Sequence, residues 1–404
     1  MAKVIPFKAV RPSRNKVHLI CSRPFYTYKK SHLKAKLESN PYSFLHVINP
    51  EFNKPHQTNP NSPGRFKKVK NKYEEFKKNN YLSKDDNAHF YIYRQTTEYG
   101  VFKGIIAGGS IHDYQSNIIK KHENTITQRE IVFKDYLEIT NFHAEPVLLT
   151  YKPNQKIKNI INQNISKRPE YEFTTTDKKV HELWIVDQAL DISGIMDGME
   201  AINKVYIADG HHRIASSQLY NQNKKDNFLS NYFLSFFIDQ QELKIFEYNR
   251  VVKNISPLGE EEFLNKLGLN FKITPLKVHQ VPSSKLELSI YLNNSWYLIK
   301  VKSEKIKNDF KSQLNSQMVS DLIFNEIFNI KNISNNNNIE YIKGNQPIDL
   351  LIRKVNNYKN SLGIELFPHE IGEITSIADM GETMPPKSTW IEPKLRSGLT
   401  IYEY

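Results

Sequence analysis

Hydrophobic and polar positions along the chain follow strand and helix periods in turn. Alternating apolar residues on both sides of short turns predict β-hairpins at three places, residues 89–111, 231–252 and 288–301. The last of these has Asn293-Asn294 as its two-residue turn. The apolar run "EPVLLTY" at 145–151 predicts a short buried strand.

Apolar residues at helical spacing predict helices between these strands. The predicted helices occupy residues 71–82, the stretch from His122 to residue 140, residues 313–328, and the stretch from near Ile371 to Gly381. Helices interspersed with hairpins are typical of an α+β fold. The sequence has no internal repeat and no Rossmann or Walker signature.

Composition limits the fold and the location of the protein. With 404 residues, of which 39% are hydrophobic, the chain can bury a core and is long enough for two or three packed units. Its single cysteine, Cys21, excludes a disulfide framework and a multi-thiolate zinc site, and it suits a reducing compartment. Without a secretory-signal pattern or an apolar run that could span a bilayer, we expect a cytoplasmic protein with no membrane partner.

The formal net charge of +13 favours an anionic ligand only weakly. The basic residues are spread along a chain that is rich in Lys, Asn and Ile, rather than gathered into one arm. A nucleic-acid partner is supported less than a small anion, so we expect none.

The stretch "VYIADGHHRIASSQLY" at 205–220 predicts a strand that turns into a helix at a cluster of polar residues. N–H groups at a helix start bind anions, Gly210 allows close backbone approach, and Arg213 offers a planar fork for phosphate oxygens. Because Asp209 would repel a bare phosphate, a cation such as Mg²⁺ should accompany it. The adjacent His211 and His212 diverge too much for a zinc pair.

A plainer interpretation of this turn stays open: Asp209 caps the helix and Arg213 pairs with an acid. Two further polar clusters each have a similar alternative. Lys120–Glu123 fits a solvated helix start, and the rigid "MPPKSTWIEP" loop, with Lys387, Ser388 and Thr389, fits a surface turn packed by Trp390.

These clusters, in this order, carry a family resemblance. The sequence resembles, nearly end to end, a bacterial family known as domain of unknown function 1015, through stretches such as "VIPFKAVRP", "YIADGHHRIAS", "YNRVVK" and "MPPKSTWIEPKLRSGL". It is also similar to the shorter free L-serine kinases of the ParB/sulfiredoxin superfamily. The matching segments are "KKHE", "EPVLLTY", "ADGHHR" and "PPKSTW".

The resemblance implies transfer of a phosphoryl group to free L-serine, giving O-phosphoserine. The roles that it implies fall into three sets. Glu123 is the general base, with His122 and Asp209 also catalytic; Gly210, His211, His212 and Arg213 bind phosphate; Lys387, Ser388, Thr389 and Trp390 bind substrate. Asp209 would hold the donor's Mg²⁺, and no zinc, flavin or nicotinamide is expected. ATP, ADP and pyrophosphate all remain open as the donor.

The resemblance also implies an organisation of the chain around a ParB/sulfiredoxin-like core with appended β-hairpins and helices. We expect a family-specific region at 1–100, a catalytic core at 101–220 with an insertion at about 153–203, and an α+β region at 221–404 that supplies the Pro-Lys-Ser-Thr segment. The oligomeric state is left open.

Two rival functions follow from the same superfamily. A sulfiredoxin-type reductase needs a cysteine where this chain has His211, so we exclude it. A ParB-like nucleotide-binding protein of the CTPase type, regulatory or DNA-associated, should carry a helix-turn-helix after the core, where residues 221–300 instead predict hairpins. The kinase is favoured, and the nucleotide-binding regulator is the alternative.

Overall fold

The computed structural model of the protein describes residues 1–224, 226–253, 255, 259–331, 333 and 336–404. These residues form two compact units. The first unit holds residues 1–121, 125–243 and 393–404, and the second unit holds residues 122–124 and 244–392. Both mix helices with sheets, which confirms the predicted α+β class. The ParB/sulfiredoxin-like core and the three predicted regions stay predictions.

The first unit is built around one large sheet. Its strands up to residue 243 are β1 (Val4–Ile5), β2 (Val10–Pro12), β3 (Leu82–Lys84), β4 (Phe90–Thr97), β5 (Gly100–Ser110), β6 (Ile119–Lys120), β7 (Phe142–His143), β8 (Val147–Tyr151), β9 (Tyr171–Thr174), β10 (Val180–Val186), β11 (Val205–Asp209) and β12 (Tyr232–Asp239). Its helices are α1 (Val17–Ile20), α2 (Lys30–Ser39), α3 (Leu45–Ile48), α4 (Pro63–Lys78), α5 (Ile111–Gln115), α6 (Thr127–Thr140), α7 (Gln155–Ile165), α8 (Ala189–Glu200) and α9 (His211–Asn223).

The large sheet has the strand order β6-β11-β8-β12-β5-β4-β10-β9, with β1 added to β5. The predicted hairpin at 89–111 is confirmed as the antiparallel pair β4–β5. Gly104 is required on β5, because a Cβ there would lie 2.2 Å from the carbonyl oxygen of Phe237 on the neighbouring β12. The predicted buried strand at 145–151 is β8, whose five residues are all buried.

The second unit has its own sheet and its own core. Its strands are β13 (Lys244–Val252), β14 (Phe271–Leu276), β15 (Glu287–Leu292), β16 (Ser295–Val301), β17 (Ile339–Lys343), β18 (Leu362–Leu366) and β19 (Thr389–Glu392). Its helices are α10 (Glu260–Asn270), α11 (Asn315–Met318), α12 (Ile348–Asn356) and α13 (Ile371–Asp379). The strand order is β14-β16-β15-β18-β13-β17, and β19 also pairs with β13.

The second predicted hairpin, at 231–252, is wrong. Strand β12 pairs with β5 and β8 in the large sheet, whereas β13 pairs with β17, β18 and β19 in the second sheet. The "QQE" turn between them therefore joins two sheets instead of closing a hairpin. The third hairpin, β15–β16, is confirmed, and both turn residues have positive φ, 45° at Asn293 and 62° at Asn294.

Three helix predictions also need correction. The helix predicted over 71–82 begins earlier and ends earlier, as α4 (Pro63–Lys78), and Leu82 belongs to β3. The helix predicted to follow His122 begins only at Thr127, as α6. The helix predicted over 313–328 consists of the short α11 followed by a π-helical stretch, Val319–Asn325, in which the hydrogen bonds span five residues instead of four. Helix α13 agrees with its predicted range, with Gly381 at φ +71° just after its end.

The chain returns to the first unit after residue 392. Its last strand, β20 (Tyr402–Glu403), pairs with β7, and Ile401 pairs with Val10. Residues 393–404 therefore complete the first unit. No described helix combines the length and the apolar character that crossing a membrane requires.

Candidate functional site

The turn after β11 holds the predicted phosphate-binding residues in the first unit. Strand β11 is buried from Val205 to Ala208 and ends at the partly exposed Asp209. Gly210 adopts φ +100°, a left-handed conformation that favours glycine, and α9 begins directly after it. The predicted strand–turn–helix is confirmed, and it aims the positive end of the α9 dipole at the end of the strand.

Two cations lie beside the Asp209 carboxylate. The Nζ atom of Lys394 is 3.1 Å from Asp209 Oδ2, and the Nη2 atom of Arg213 is 3.5 Å from the same oxygen. Burial acts to raise the pKa of this carboxyl group, but the charges of Lys394 and Arg213 outweigh it and lower the pKa to about 2. Asp209 is therefore ionised at neutral pH.

The guanidinium of Arg213 folds back over the turn. Its Nη1 donates hydrogen bonds to the carbonyl oxygens of Pro146 and, at 3.3 Å, Glu145, at the start of β8. A Cβ atom on Gly210 would lie 2.9 Å from both Nε and Nη2 of Arg213. The glycine thus makes room for the arginine, which ties the helix start to the neighbouring strand.

The two histidines of the turn occupy the first two positions of α9. His211 is buried and His212 is partly exposed. A third histidine, His143 on β7, is buried and feels the charge of Arg213. Burial, followed by this charge, lowers the pKa of His143 to about 3. His143 is therefore neutral at physiological pH.

The predicted base lies in a short segment of the second unit. Residues 122–124 are joined to residues 383–384 by two hydrogen bonds. The Met384 N–H donates to the His122 carbonyl at 2.9 Å, and Asn124 Nδ2 donates to Thr383 Oγ1 at 3.1 Å. One bond holds the backbone before Glu123 and the other holds the side chain of the residue after it; the Glu123 side chain is partly exposed.

The segment that follows holds the predicted substrate-binding residues. Lys387 has φ +56°, and its Nζ lies 5.6 Å from the centre of the Tyr248 ring. Ser388 is buried, and its hydroxyl donates to the Pro385 carbonyl at 2.6 Å, closing the turn. Two sequence clusters, His122-Glu123 and Lys387–Trp390, are thus brought into the second unit.

Thr389 and Trp390 begin β19, and Trp390 is packed rather than open. Its Nε1 donates to Glu392 Oε1 at 3.0 Å, and the Nζ of Lys343 lies 3.9 Å from its ring centre. Only 7% of Trp390 is exposed. This geometry agrees with the open alternative in which Trp390 packs the turn, and its substrate-binding role stays a prediction.

A cavity of about 460 Å³ in the second unit borders the same segment. One wall is formed by residues 383–386, which hold the His122–Asn124 segment, and another by the π-helical stretch. Its lining residues are Lys311, Gln317, Ser320, Asp321, Asn325, Ile330, Lys331, Ile333, Thr383, Met384, Pro385 and Pro386.

The sequence prediction missed Lys394 and the residues that hold it. Arg396 is buried and donates to His181 Nε2 at 3.1 Å and to Asp177 at 2.8 Å. Ser397 donates to Glu145 Oε1 at 2.6 Å. These residues lie in "EPKLRSGL", among the most specific segments of the resemblance. The sequence around them does not indicate which distant residues their charged side chains contact.

Across the described ranges, no three His, Cys, Asp or Glu side chains gather in a way that could hold a metal ion. Asp209 is therefore a single carboxylate with cationic neighbours. A metal at this turn would take its other ligands from water or from a bound phosphate.

Comparison with known proteins identifies the family. The family described as "Protein of unknown function (DUF1015)" matches residues 4–322. No curated protein resembles the sequence closely enough to count as a match. Solved structures give distant likenesses, the first being SbnI with a C-terminal truncation from Staphylococcus aureus. It is 11% identical, with a TM-score of 0.39 over 73% of this chain and 85% of that one.

Two structures of mutant free serine kinase are similar to the chain at the same level. The kinase in complex with AMP is 12% identical, with a TM-score of 0.37 over 74% of this chain and 92% of its own. The kinase in complex with ADP is 13% identical, with a TM-score of 0.36 over 70% of this chain and 89% of its own.

Proposed function

The chain belongs to the DUF1015 family, and we propose that it is a small-molecule kinase that phosphorylates free L-serine to O-phosphoserine. The observation that carries the proposal is the turn after β11. There a helix start, an ionised Asp209 and the cation Arg213 lie within one turn of chain, and the cation Lys394, distant in sequence, lies 3.1 Å from Asp209. Phosphoryl transfer depends mainly on positioning and charge neutralisation, and such a turn supplies both.

The donor would be a magnesium-bound polyphosphate: ATP, ADP or pyrophosphate. Backbone N–H groups after Gly210, with His211, His212 and Arg213, would bind its phosphate oxygens. The residues fit Mg²⁺ only as part of the donor, because Asp209 is one carboxylate and Mg²⁺ commonly takes one or two carboxylates besides phosphate and water. When bound, Mg²⁺ would neutralise charge on the transferring phosphoryl group.

The acceptor hydroxyl would be activated by Glu123, with His122 beside it in the sequence. The glutamate carboxylate takes the hydroxyl proton while the serine oxygen bonds to the terminal phosphorus and the bond from phosphorus to the leaving oxygen breaks. A hydrogen bond to the His122 carbonyl and one from the Asn124 side chain flank Glu123, which supports a positioned base. Lys387, Ser388, Thr389 and Trp390 are proposed to bind the acceptor.

The ParB-like alternative gains no support from the region where its DNA-binding motif would lie. Among the described residues between 224 and 300, α10 is the one α-helix, and strands occupy most of the rest. A helix-turn-helix needs two adjacent helices. The "nucleotide-binding regulator" therefore remains only as an outcome of the test.

The deciding experiment incubates the purified protein and Mg²⁺ with L-serine and, separately, ATP, ADP and pyrophosphate. Mass spectrometry should detect O-phosphoserine with at least one donor. L-Alanine, which lacks the hydroxyl, is the matched control and should give no phosphorylated product. Absence of phosphoserine with all three donors would contradict the kinase function. Hydrolysis of CTP in a parallel incubation would then favour the nucleotide-binding regulator.

A further inference from the structure

The segment that follows the second unit is fixed firmly onto the first. Arg396, 4% exposed, binds His181 and Asp177, and Ser397 binds Glu145 and pairs with Ser22. These contacts immobilise the backbone within three residues of Lys394. The Lys394 side chain is therefore held in a defined position, because its backbone has little freedom to move.

That place is the candidate phosphate turn. Lys394 Nζ lies 3.1 Å from Asp209 Oδ2, and the side chains of Lys394, Arg213 and Asp209 are 14%, 19% and 30% exposed. The strand below them is buried. Each of the three side chains thus keeps a minor part of its surface open to solvent.

We propose that Lys394 binds the phosphate oxygens of the donor while its ammonium group stays beside Asp209. This inference rests on the proposed function and adds to it a residue that lies outside the predicted set. The Nη1 atom of Arg213 already donates hydrogen bonds to the carbonyl oxygens of Glu145 and Pro146. An ammonium is a compact, rotatable charge with three donors, and it can follow a phosphate while it stays near Asp209.

A purely structural ion pair makes a different prediction. If Lys394 and Asp209 only stabilised the turn, removal of either partner would disturb the turn alike. If Lys394 binds the anion, its removal should weaken anion binding, whereas neutralisation of Asp209 should not, because it removes a repelling charge.

Isothermal titration calorimetry with inorganic pyrophosphate, without Mg²⁺, separates the two. We expect Lys394→Met to bind about tenfold more weakly or worse, and Lys394→Arg to recover part of the loss. Asp209→Asn should bind as tightly as the wild type or more tightly. Lys156→Met is the matched control, since Lys156 and Asp197 form a surface pair at 3.0 Å in the same unit.

Each outcome decides a separate question. If the wild type binds neither pyrophosphate nor ADP, with or without Mg²⁺, the donor site and this inference both fail. If the wild type binds and Lys394→Met binds equally, only the role of Lys394 fails. Equal losses in Lys394→Met and Asp209→Asn would make the pair structural. Thermal unfolding of each variant shows that binding is compared between folded proteins, and Lys394→Arg serves if the methionine variant does not fold.

Discussion

Lys394 Nζ lies 3.1 Å from Asp209 Oδ2, although 185 residues separate the two along the chain. The contact joins "ADGHHR" to "EPKLRSGL", two segments that the family resemblance singled out independently. The proposed chemistry at this turn would therefore depend on distant parts of the sequence, and single substitutions test each part.

Glu123→Gln should abolish most of the turnover while leaving donor binding intact. Glutamine keeps the shape of the side chain but cannot accept the hydroxyl proton, so turnover should fall by about 10²–10⁴-fold. Glu123→Asp should also lose activity, because the carboxylate is withdrawn by one methylene. Phosphoserine formation measures both. Glu304→Gln, at an exposed position of the second unit, is the control, and near-normal turnover in Glu123→Gln would remove Glu123 from the mechanism.

Arg213→Lys should weaken donor binding by about tenfold or more. The guanidinium contacts two carbonyl oxygens and lies 3.5 Å from Asp209, and an ammonium cannot make all of these contacts and also bind phosphate. Calorimetry with ADP and Mg²⁺ measures the loss. The same exchange at the exposed Arg168 should change nothing, and unchanged affinity in Arg213→Lys would argue against the phosphate role.

Gly210→Ala should destabilise the protein by about 1–2 kcal/mol and also impair donor binding. Alanine is strained at φ +100°, and its Cβ would come within 2.9 Å of the Arg213 guanidinium. Chemical denaturation gives the free energy of unfolding. Gly372→Ala is the matched control: Gly372 lies in α13 with open space around it, so the change should be neutral or stabilising by up to about 1 kcal/mol.

Acid should destabilise the protein through His181. Its Nε2 accepts a hydrogen bond from Arg396, so the ring is neutral, and burial together with the Arg396 charge lowers its pKa to about 2. The unfolded chain binds this proton below about pH 6.5, and the folded protein does not, so stability is full above that pH and falls below it. His181 alone should contribute a slope of about 1.4 kcal/mol per pH unit between pH 6 and 4.

The variant His181→Gln tests this assignment. It should be less stable than the wild type at neutral pH, because it loses the contacts to Arg396 and Tyr93. Its free energy of unfolding should nevertheless fall less steeply below pH 6, by about the slope of one proton. An identical pH dependence in the two proteins would assign the acid sensitivity elsewhere, for example to His143.

Local patterns in the sequence predicted local structure well. The Asn293-Asn294 hairpin, the buried β8 and the strand–turn–helix at Gly210 all depend on residues next to each other in the chain, and the structure confirms them. The predicted pairing of β12 with β13 failed for the opposite reason. Both segments are strands, but their partners are chosen by packing far along the chain, which periodicity does not record.

In the candidate site, too, features that depend on neighbouring residues were predicted and features that depend on distant residues were missed. Asp209–Arg213 form one turn because their conformation is set by Gly210 and the helix that follows. Lys394 was missed because its partner, Asp209, is distant in sequence, and the π-helical stretch was missed because it has the same apolar spacing as an α-helix. Only tertiary packing distinguishes these possibilities.

The first unit is built from segments that are far apart in the sequence, and this limits when it can finish folding during synthesis. Residues 393–404, which carry Lys394, Arg396 and β20, are translated after the whole of the second unit. A nascent chain that has emerged as far as residue 243 therefore lacks the strand that pairs with β7 and Lys394, one of the two cations beside Asp209. The second unit can begin to fold during translation, whereas the turn after β11 can gain its contact with Lys394 only once residues 393–404 have left the ribosome.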